Sequence, residues 1–295
     1  MYHSSEGVDM SRFKITGEEF RRSLWWAIPV LIVGLLVSLV IPRPEIGVIQ
    51  LSDAIYSTTA ADLITQITYA RQDPNIHAVV LILDSPGGTV VDTEAVYMEL
   101  ARLRETKPVV TWVSGLAASG AYYLSSGTDY IVAVPSSEVG NVGVIGYLPP
   151  TPMIFDDTIS TGPYKLWGSP RDTTMREIEM IKQGFFQAVT LGRGSRLKIG
   201  PDVLLRGQIW PASEAYHYGL VDQLGSESEA YDQAANLAHL WHYTITDLYT
   251  ASGLGKSADA AAGFFQQTKD GATLPYPSEA GIYMLYIPAL PNLEK

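Results

Sequence analysis

The sequence predicts an α/β protein with a largely parallel sheet covered by helices. Two apolar, β-branched runs, Ala78 to Leu83 and Val109 to Val113, read as buried strands. Each is followed by a turn of small residues, Asp84-Ser-Pro-Gly-Gly88 after the first and Ala117-Ala-Ser-Gly120 after the second. Between and around them lie segments with apolar residues at helical spacing, so strands alternate with helices.

In chain order, residues 1–23 are polar and patternless, a tail expected on the cytoplasmic side. Leu24 to Ile41 holds 18 residues without a charge, the lower limit for a helix crossing a bilayer, and is expected to be one transmembrane helix. Trp25 and Trp26 resemble interfacial anchors. Arg12, Lys14, Arg21 and Arg22 precede the segment and only Arg43 follows closely, which places the N-terminus inside and the globular remainder outside the cytoplasm. A cleaved signal peptide is the competing reading, but no small-x-small site precedes Pro42.

Residues 42–250 form the expected globular domain. Ile46 to Leu51 is a short strand, and Thr59 to Asp73 a helix with Leu63, Ile64, Ile67 and Ala70 on one face, ended by Pro74. The Ala78 strand completes β-α-β. Asp92 to Arg104 is a helix with Val96, Leu100 and Leu103 facing inward, Ser119 to Ser126 a short helix, and Tyr130 to Val134 a strand. Gly140 to Gly146 reads as a glycine-spaced strand allowing close approach of another chain or a ligand. Thr174 to Leu191 is a helix carrying Ile178, Ile181, Phe185 and Val189, and Thr174 with Glu177 has the form of a capping box. Ser213 to His217 is a helix closed by Gly219, Glu227 to Trp241 the last amphipathic helix, and Thr244 to Tyr249 is extended. Residues 251–295 turn rich in Ala, Gly and Pro and are expected to be loosely attached. Within them Gly281 to Pro288 is apolar enough to pack as a strand or to occupy a groove.

Composition narrows the chemistry. With 46% apolar and 17% charged residues the chain can bury a sizeable core. A net charge of −11 argues against a nucleic-acid surface, so no nucleic-acid partner is expected. There is no cysteine, which excludes disulfides, thiolate metal sites and a thiol nucleophile. Asp84, Asp92 and Glu94 lack a histidine cluster and read as strand-end and helix-start residues, so no metal site and no cofactor are expected.

Ser119, between a buried strand and a helix start, is the candidate nucleophile, because partial positive charge there favours a developing alkoxide. Gly87, Gly88 and Gly120 are the candidate oxyanion hole, since glycine lets backbone N–H groups come close to a carbonyl. Ser85, beside Pro86, reads as a turn cap. Of the five histidines, His3, His77, His217, His239 and His242, none lies in a glycine-flanked loop. Lys165 is a candidate base: it sits in Thr161-Gly-Pro-Tyr-Lys-Leu-Trp-Gly168, where Tyr164 and Trp167 can strip water from its amine.

From Ile46 to about Gly225 the chain resembles the signal peptide peptidase A family of serine peptidases. The matching motifs are Ser85 to Gly88, Lys107 to Val110 with Ala117 to Tyr122, Gly143 to Gly146, the set Gly162, Lys165, Ser169, Pro170 and Arg171, and Gly219 to Gly225. The resemblance implies a ClpP/crotonase-like fold of repeated β-β-α/β-α units. It also implies a Ser-Lys dyad of Ser119 and Lys165, ring-like or dome-like homo-oligomers, and peptide substrates derived from membranes, such as signal-peptide remnants. One position departs: where the family has Gly-Ser-x-Gly, this chain has Gly140-Asn-Val-Gly143, so Asn141 takes the place of the serine that orients the lysine. Its amide oxygen can accept a hydrogen bond from an amine. A non-catalytic membrane scaffold and a crotonase-like acyl-CoA enzyme are the two alternatives.

Overall fold

The computed structural model describes residues 21, 25–34, 43–147, 159–162, 164, 165, 168, 171–255, 264–268 and 273–288. The chain divides into two units, Met1–Arg43 and Pro44–Lys295. In the first, residues 25–34 are helical, with Trp25 and Trp26 each 75% exposed. Among the described residues no helix is long and apolar enough to cross a membrane. Leu24 and residues 35–41 of the expected span lie outside them.

The second unit is built on an eight-stranded mixed sheet. Its first strands and helices are β1 (Glu45–Leu51), α1 (Ser57–Gln72), β2 (Ile76–Ser85), β3 (Gly87–Thr89) and α2 (Val90–Arg104). Then come β4 (Val109–Ala118), α3 (Gly120–Ser126), β5 (Tyr130–Ala133), β6 (Glu138–Gly140) and β7 (Ile145–Tyr147). Next are α4 (Arg171–Arg193), α5 (Pro201–Leu204), β8 (Ile209–Pro211), α6 (Ala212–His217), β9 (Gln223–Leu224), α7 (Glu227–Leu237), β10 (Thr244–Asp247) and α8 (Leu248–Ala251). The chain closes with β11 (Phe265–Gln267), β12 (Thr273–Pro277) and β13 (Gly281–Leu285). Strands run β10-β1-β2-β4-β5-β9, all parallel, with β6 parallel to β4 and β8 antiparallel to β6.

The Ala78–Leu83 run of β2 is continuously apolar because both of its faces are buried, as a parallel strand under helices requires. Val79, Leu81 and Leu83 join the larger core with Leu63, Leu100, Tyr122 and Phe185. Ala78, Val80 and Ile82 meet Ala230, Ala234 and Ala235 of α7 on the other face. Lys107 ties the layers together: its ammonium donates to the Ala70 and Asp73 carbonyls, both at 2.5 Å, and burial lowers its pKa.

Strand β4 aims the site. Leu83 pairs with Val113 and Ser85 with Ala117, so two steps along β2 face four along β4. The two extra residues form a bulge that bends β4. Its first half pairs with β5 and its last three residues with β6.

The Gly140 to Gly146 run is two strands, not one, because Gly140 (φ 119°) and Asn141 (φ 55°) turn the backbone out of the ladder. Helix α4 begins at Arg171, so Thr174 and Glu177 lie inside it rather than at its cap. Helix α7 stops at Leu237, where the Leu240 N–H bonds to the Ala235 carbonyl and His239 N–H to Asn236 around a left-handed His239, a Schellman closure. The segment 251–295 is not loose throughout. Strand β13 inserts antiparallel between β3 and β7, with Tyr283, Met284 and Leu285 at 5%, 0% and 3% exposure.

Candidate active site

Ser119 stands at the turn from β4 into α3 with φ 54° and ψ −118°. A non-glycine residue in that region is strained, and sharp strand-to-helix turns of this kind present a serine hydroxyl to a substrate. The neighbours hold it there: the Ser119 N–H donates to the Gly140 carbonyl at 2.9 Å, and the Ser119 carbonyl accepts from the Tyr123 N–H at 2.9 Å. The residue is 1% exposed, and its hydroxyl makes no hydrogen bond to another described residue. Helix α3 after it is fully buried, anchored by the Tyr122 hydroxyl on the Leu220 carbonyl at 3.0 Å.

The glycines beside Ser119 are required by close backbone contacts. A Cβ on Gly87 would lie 2.1 Å from the Met284 carbonyl oxygen and 2.6 Å from the Gly120 nitrogen. On Gly88 it would lie 1.8 Å from the Ile55 carbonyl oxygen, and on Gly120, 2.8 Å from Thr93 Oγ1. Gly87 and Gly120 are therefore in direct backbone contact, as two halves of an oxyanion hole need. The Gly87 N–H, however, donates to Ser85 Oγ at 3.2 Å, which leaves Gly88 and Gly120 as the better placed of the three expected donors. Ser85 also donates to the Asp53 carbonyl at 2.7 Å, as its reading as a turn cap anticipates.

Asn141 lies next to the residue that holds Ser119. Its N–H donates to Gln208 and its Nδ2 to Gly207, at 2.8 and 2.7 Å. The amide is thereby oriented, and its oxygen has no donor among the described residues. The loop at 207–208 has no signal of this role in the sequence.

Lys165 has a different setting from the one expected. It sits in a turn closed by its own N–H on the Gly162 carbonyl at 3.2 Å and by Gly168 on Tyr164 at 2.6 Å. Lys165 is exposed, and Tyr164 is 46% exposed, so the described residues build no dry pocket around the amine. Trp167, Ser169 and Pro170 of the same motif lie outside the described residues. No hydrogen bond joins Lys165 to Ser119.

The Gly219 to Gly225 motif has a structural role. Asp222 accepts from Arg193 Nη1 and Nη2 at 2.8 and 2.6 Å and from the Ile131 N–H at 2.8 Å, while Arg193 Nε reaches the Gly219 carbonyl at 2.9 Å. This buried pair clamps the end of α4 to the strand beside α3. Among the described residues no cluster of His, Asp and Glu can hold a metal ion.

A parallel-stranded α/β core with a strained serine facing a glycine pair defines a ClpP-like class of protein. The family model for Clp protease matches residues 45–139, and that for peptidase family S49 matches residues 101–241. Protease 4 of Salmonella typhi is 36% identical over 194 residues, covering 60% of this chain and 31% of that protein. Serine protease SPPA, chloroplastic, of Arabidopsis thaliana is 28% identical over 196 residues, 61% of this chain and 29% of its own. A Synechocystis sp. protein named "Putative protease slr0021" is 30% identical over 213 residues, 67% of this chain and 76% of its own. The matches thus span about a third of the first two relatives. The chain belongs to peptidase family S49, the signal peptide peptidase A family whose motifs it carries.

Proposed function

We propose that the chain is a membrane-anchored serine endopeptidase that uses Ser119 as nucleophile and Lys165 as base. The observation that carries this reading is the strained, buried Ser119 at the β4–α3 turn, facing the Gly87–Gly88 strand. Ser119 Oγ attacks the scissile carbonyl and passes its proton to the Lys165 amine. The Gly88 and Gly120 amides hold the oxyanion, and the ammonium returns the proton to the leaving amine. Water then attacks the acyl-enzyme.

Because Lys165 is exposed in this chain, the reading requires its turn to close over Ser119 when peptide binds or when copies assemble into a homo-oligomer. The oxygen of Asn141 then accepts from the amine. The substrates are extended apolar peptides such as signal-peptide remnants, held by main-chain pairing along a strand edge. The N-terminus is cytoplasmic, residues 24–41 form the anchor, and the catalytic unit faces outward.

The test is incubation of the protein with an apolar signal-peptide mimic beside Ser119→Ala and Lys165→Ala forms, with fragments followed by mass spectrometry. The proposal expects cleavage by the wild type alone. Cleavage that survives both substitutions removes the dyad, and peptide bound without cleavage by any form points to the scaffold alternative.

A further inference from the structure

A cavity of about 580 Å³ lies between the end of β1, helix α1 and the start of α8, and none of the candidate catalytic residues lines it. Its charge is of one sign. Asp53, Asp62 and Asp247 line it, and no lysine, arginine or histidine among the described residues does. Asp247 is engaged as the cap of α8, accepting from the Tyr249 and Thr250 N–H groups. Asp53 accepts the Ala54 N–H at 2.7 Å and, more weakly, the Tyr56 hydroxyl at 3.3 Å. Burial pushes that hydroxyl up to about 12, with Asp53 and Asp62 adding to it, so the field of both acids converges beside the cavity. The Asp62 carboxylate itself has no donor among the described residues.

An acidic surface alone is ordinary solvated charge, but the cavity wall also holds Gln66, which is 2% exposed. Its Nε2 donates to the Asp62 carbonyl at 3.2 Å, a bond only the amide nitrogen can make, which fixes Oε1 as the other end. Oε1 is buried and has no partner. A shielded acceptor left unpaired costs free energy that a donor brought in by a ligand returns. No three acids among the described residues stand close enough to share a metal ion, so the negative charge is spread along the cavity. Leu51 and Leu63, both buried, and the ring of Tyr249 supply apolar surface between the charges. Spread acceptors with an apolar wall suit a charged donor on a methylene stem, whose body packs while its tip pairs.

We propose that this cavity binds an aliphatic ammonium or guanidinium group, on a free diamine or on a basic side chain of a peptide, with the stem against Leu51, Leu63 and Tyr249 and the charged end donating to Asp62 and Gln66. A peptide source is within reach of the chain's architecture, because the Asp53 carbonyl accepts from Ser85 Oγ at 2.7 Å and Ser85 holds the Gly87 N–H at 3.2 Å, which joins the cavity wall to the turn beside Ser119. The inference does not depend on Ser119 being a nucleophile.

The test is calorimetric titration of the full-length protein with 1,5-diaminopentane, with 1,5-pentanediol as its neutral counterpart. The diamine alone is expected to saturate, with a Kd of about 1 mM or tighter. Asp62→Asn and Gln66→Leu should each weaken it about tenfold or more, as the loss of one charge-assisted hydrogen bond does, while Asp232→Asn, an exposed acid on α7, leaves it unchanged. If Gln66→Leu fails to fold, Asp62→Asn decides alone. A lysine-bearing apolar peptide and its norleucine counterpart then distinguish the source: displacement of the diamine by the lysine peptide alone assigns the site to a peptide side chain, and displacement by neither assigns it to the free diamine. Displacement by both, heat that does not saturate, or an affinity untouched by Asp62→Asn overturns the proposal. So does tighter binding of calcium chloride at the same residues. None of these outcomes bears on the peptidase reading, which the Ser119→Ala comparison tests separately.

Discussion

Replacing Gly87 by alanine puts a methyl group where only backbone atoms lie. The added carbon would fall 2.1 Å from the Met284 oxygen, 2.6 Å from the Gly120 nitrogen and 3.0 Å from the Ala118 oxygen, at a residue whose φ is 91°. Carbon-to-oxygen contacts in proteins lie near 3.3 Å or more, so β3 must move by about 1 Å. The positive φ costs about 1–3 kcal/mol, and an overfilled site about 1–3 more. Urea unfolding of Gly87→Ala is thus expected to show a loss of about 2–6 kcal/mol. A reactive centre displaced by 1 Å should lose about a hundredfold in turnover of the peptide mimic. Gly184→Ala is the control: it lies exposed inside α4 with nothing within 4 Å of the new carbon, and should gain about 0.5–1 kcal/mol. A Gly87→Ala protein within 0.5 kcal/mol and twofold of the wild type would refute the claim that β3 and Gly120 form one close-packed site.

Other changes test the rest of the frame. Arg193→Ala leaves the Asp222 carboxylate buried without its two-pronged partner and should cost about 3–5 kcal/mol. Because Arg196 still reaches Asp222 at 3.1 Å, denaturant titration should find the low end of that range. Lys107→Met removes the donor that satisfies the Ala70 and Asp73 carbonyls, and should lower the melting temperature while leaving the rate per folded molecule unchanged. The Asp73 carboxyl is held below the usual carboxylate range by the Asn75 N–H, with the Tyr69 hydroxyl and the Lys107 ammonium adding to it. A depressed carboxylate contributes stability above its unfolded value and loses it as pH falls through the folded one. Acid unfolding of Asp73→Asn should therefore fall less steeply between neutral pH and the acid limb than that of the wild type.

The sequence showed the framework well where local chemistry and burial agree. The Ala78 and Val109 runs are strands because both faces are covered, and Ser119 was marked by small residues on either side of a turn. The Ser85 cap was legible from Pro86. Other features depended on distant chain. The bulge in β4 is set in its pairing with β2 and accompanies a change of partner from β5 to β6, and no residue of β4 reveals that. The break at Gly140–Asn141 depends on Gln208 and Gly207 accepting from Asn141. The abundance of Ala, Gly and Pro in residues 251–280 suggests a loose segment, whereas five residues, Gly281 to Leu285, settle as a strand by finding β3 and β7. Tyr164 and Trp167 stand near Lys165 in sequence and suggest a dry setting, but proximity in sequence does not set which way an exposed turn faces.

The central claim is that the Ser119 hydroxyl is the attacking group and depends on the Lys165 amine. Reaction with a peptide-like fluorophosphonate, read by intact mass and peptide mapping, tests it directly across pH. One adduct on Ser119 is predicted, forming faster as pH rises and slowed about a thousandfold or more in Lys165→Ala. An adduct on another serine, or labelling of Ser119 at the same rate without Lys165, would contradict the account.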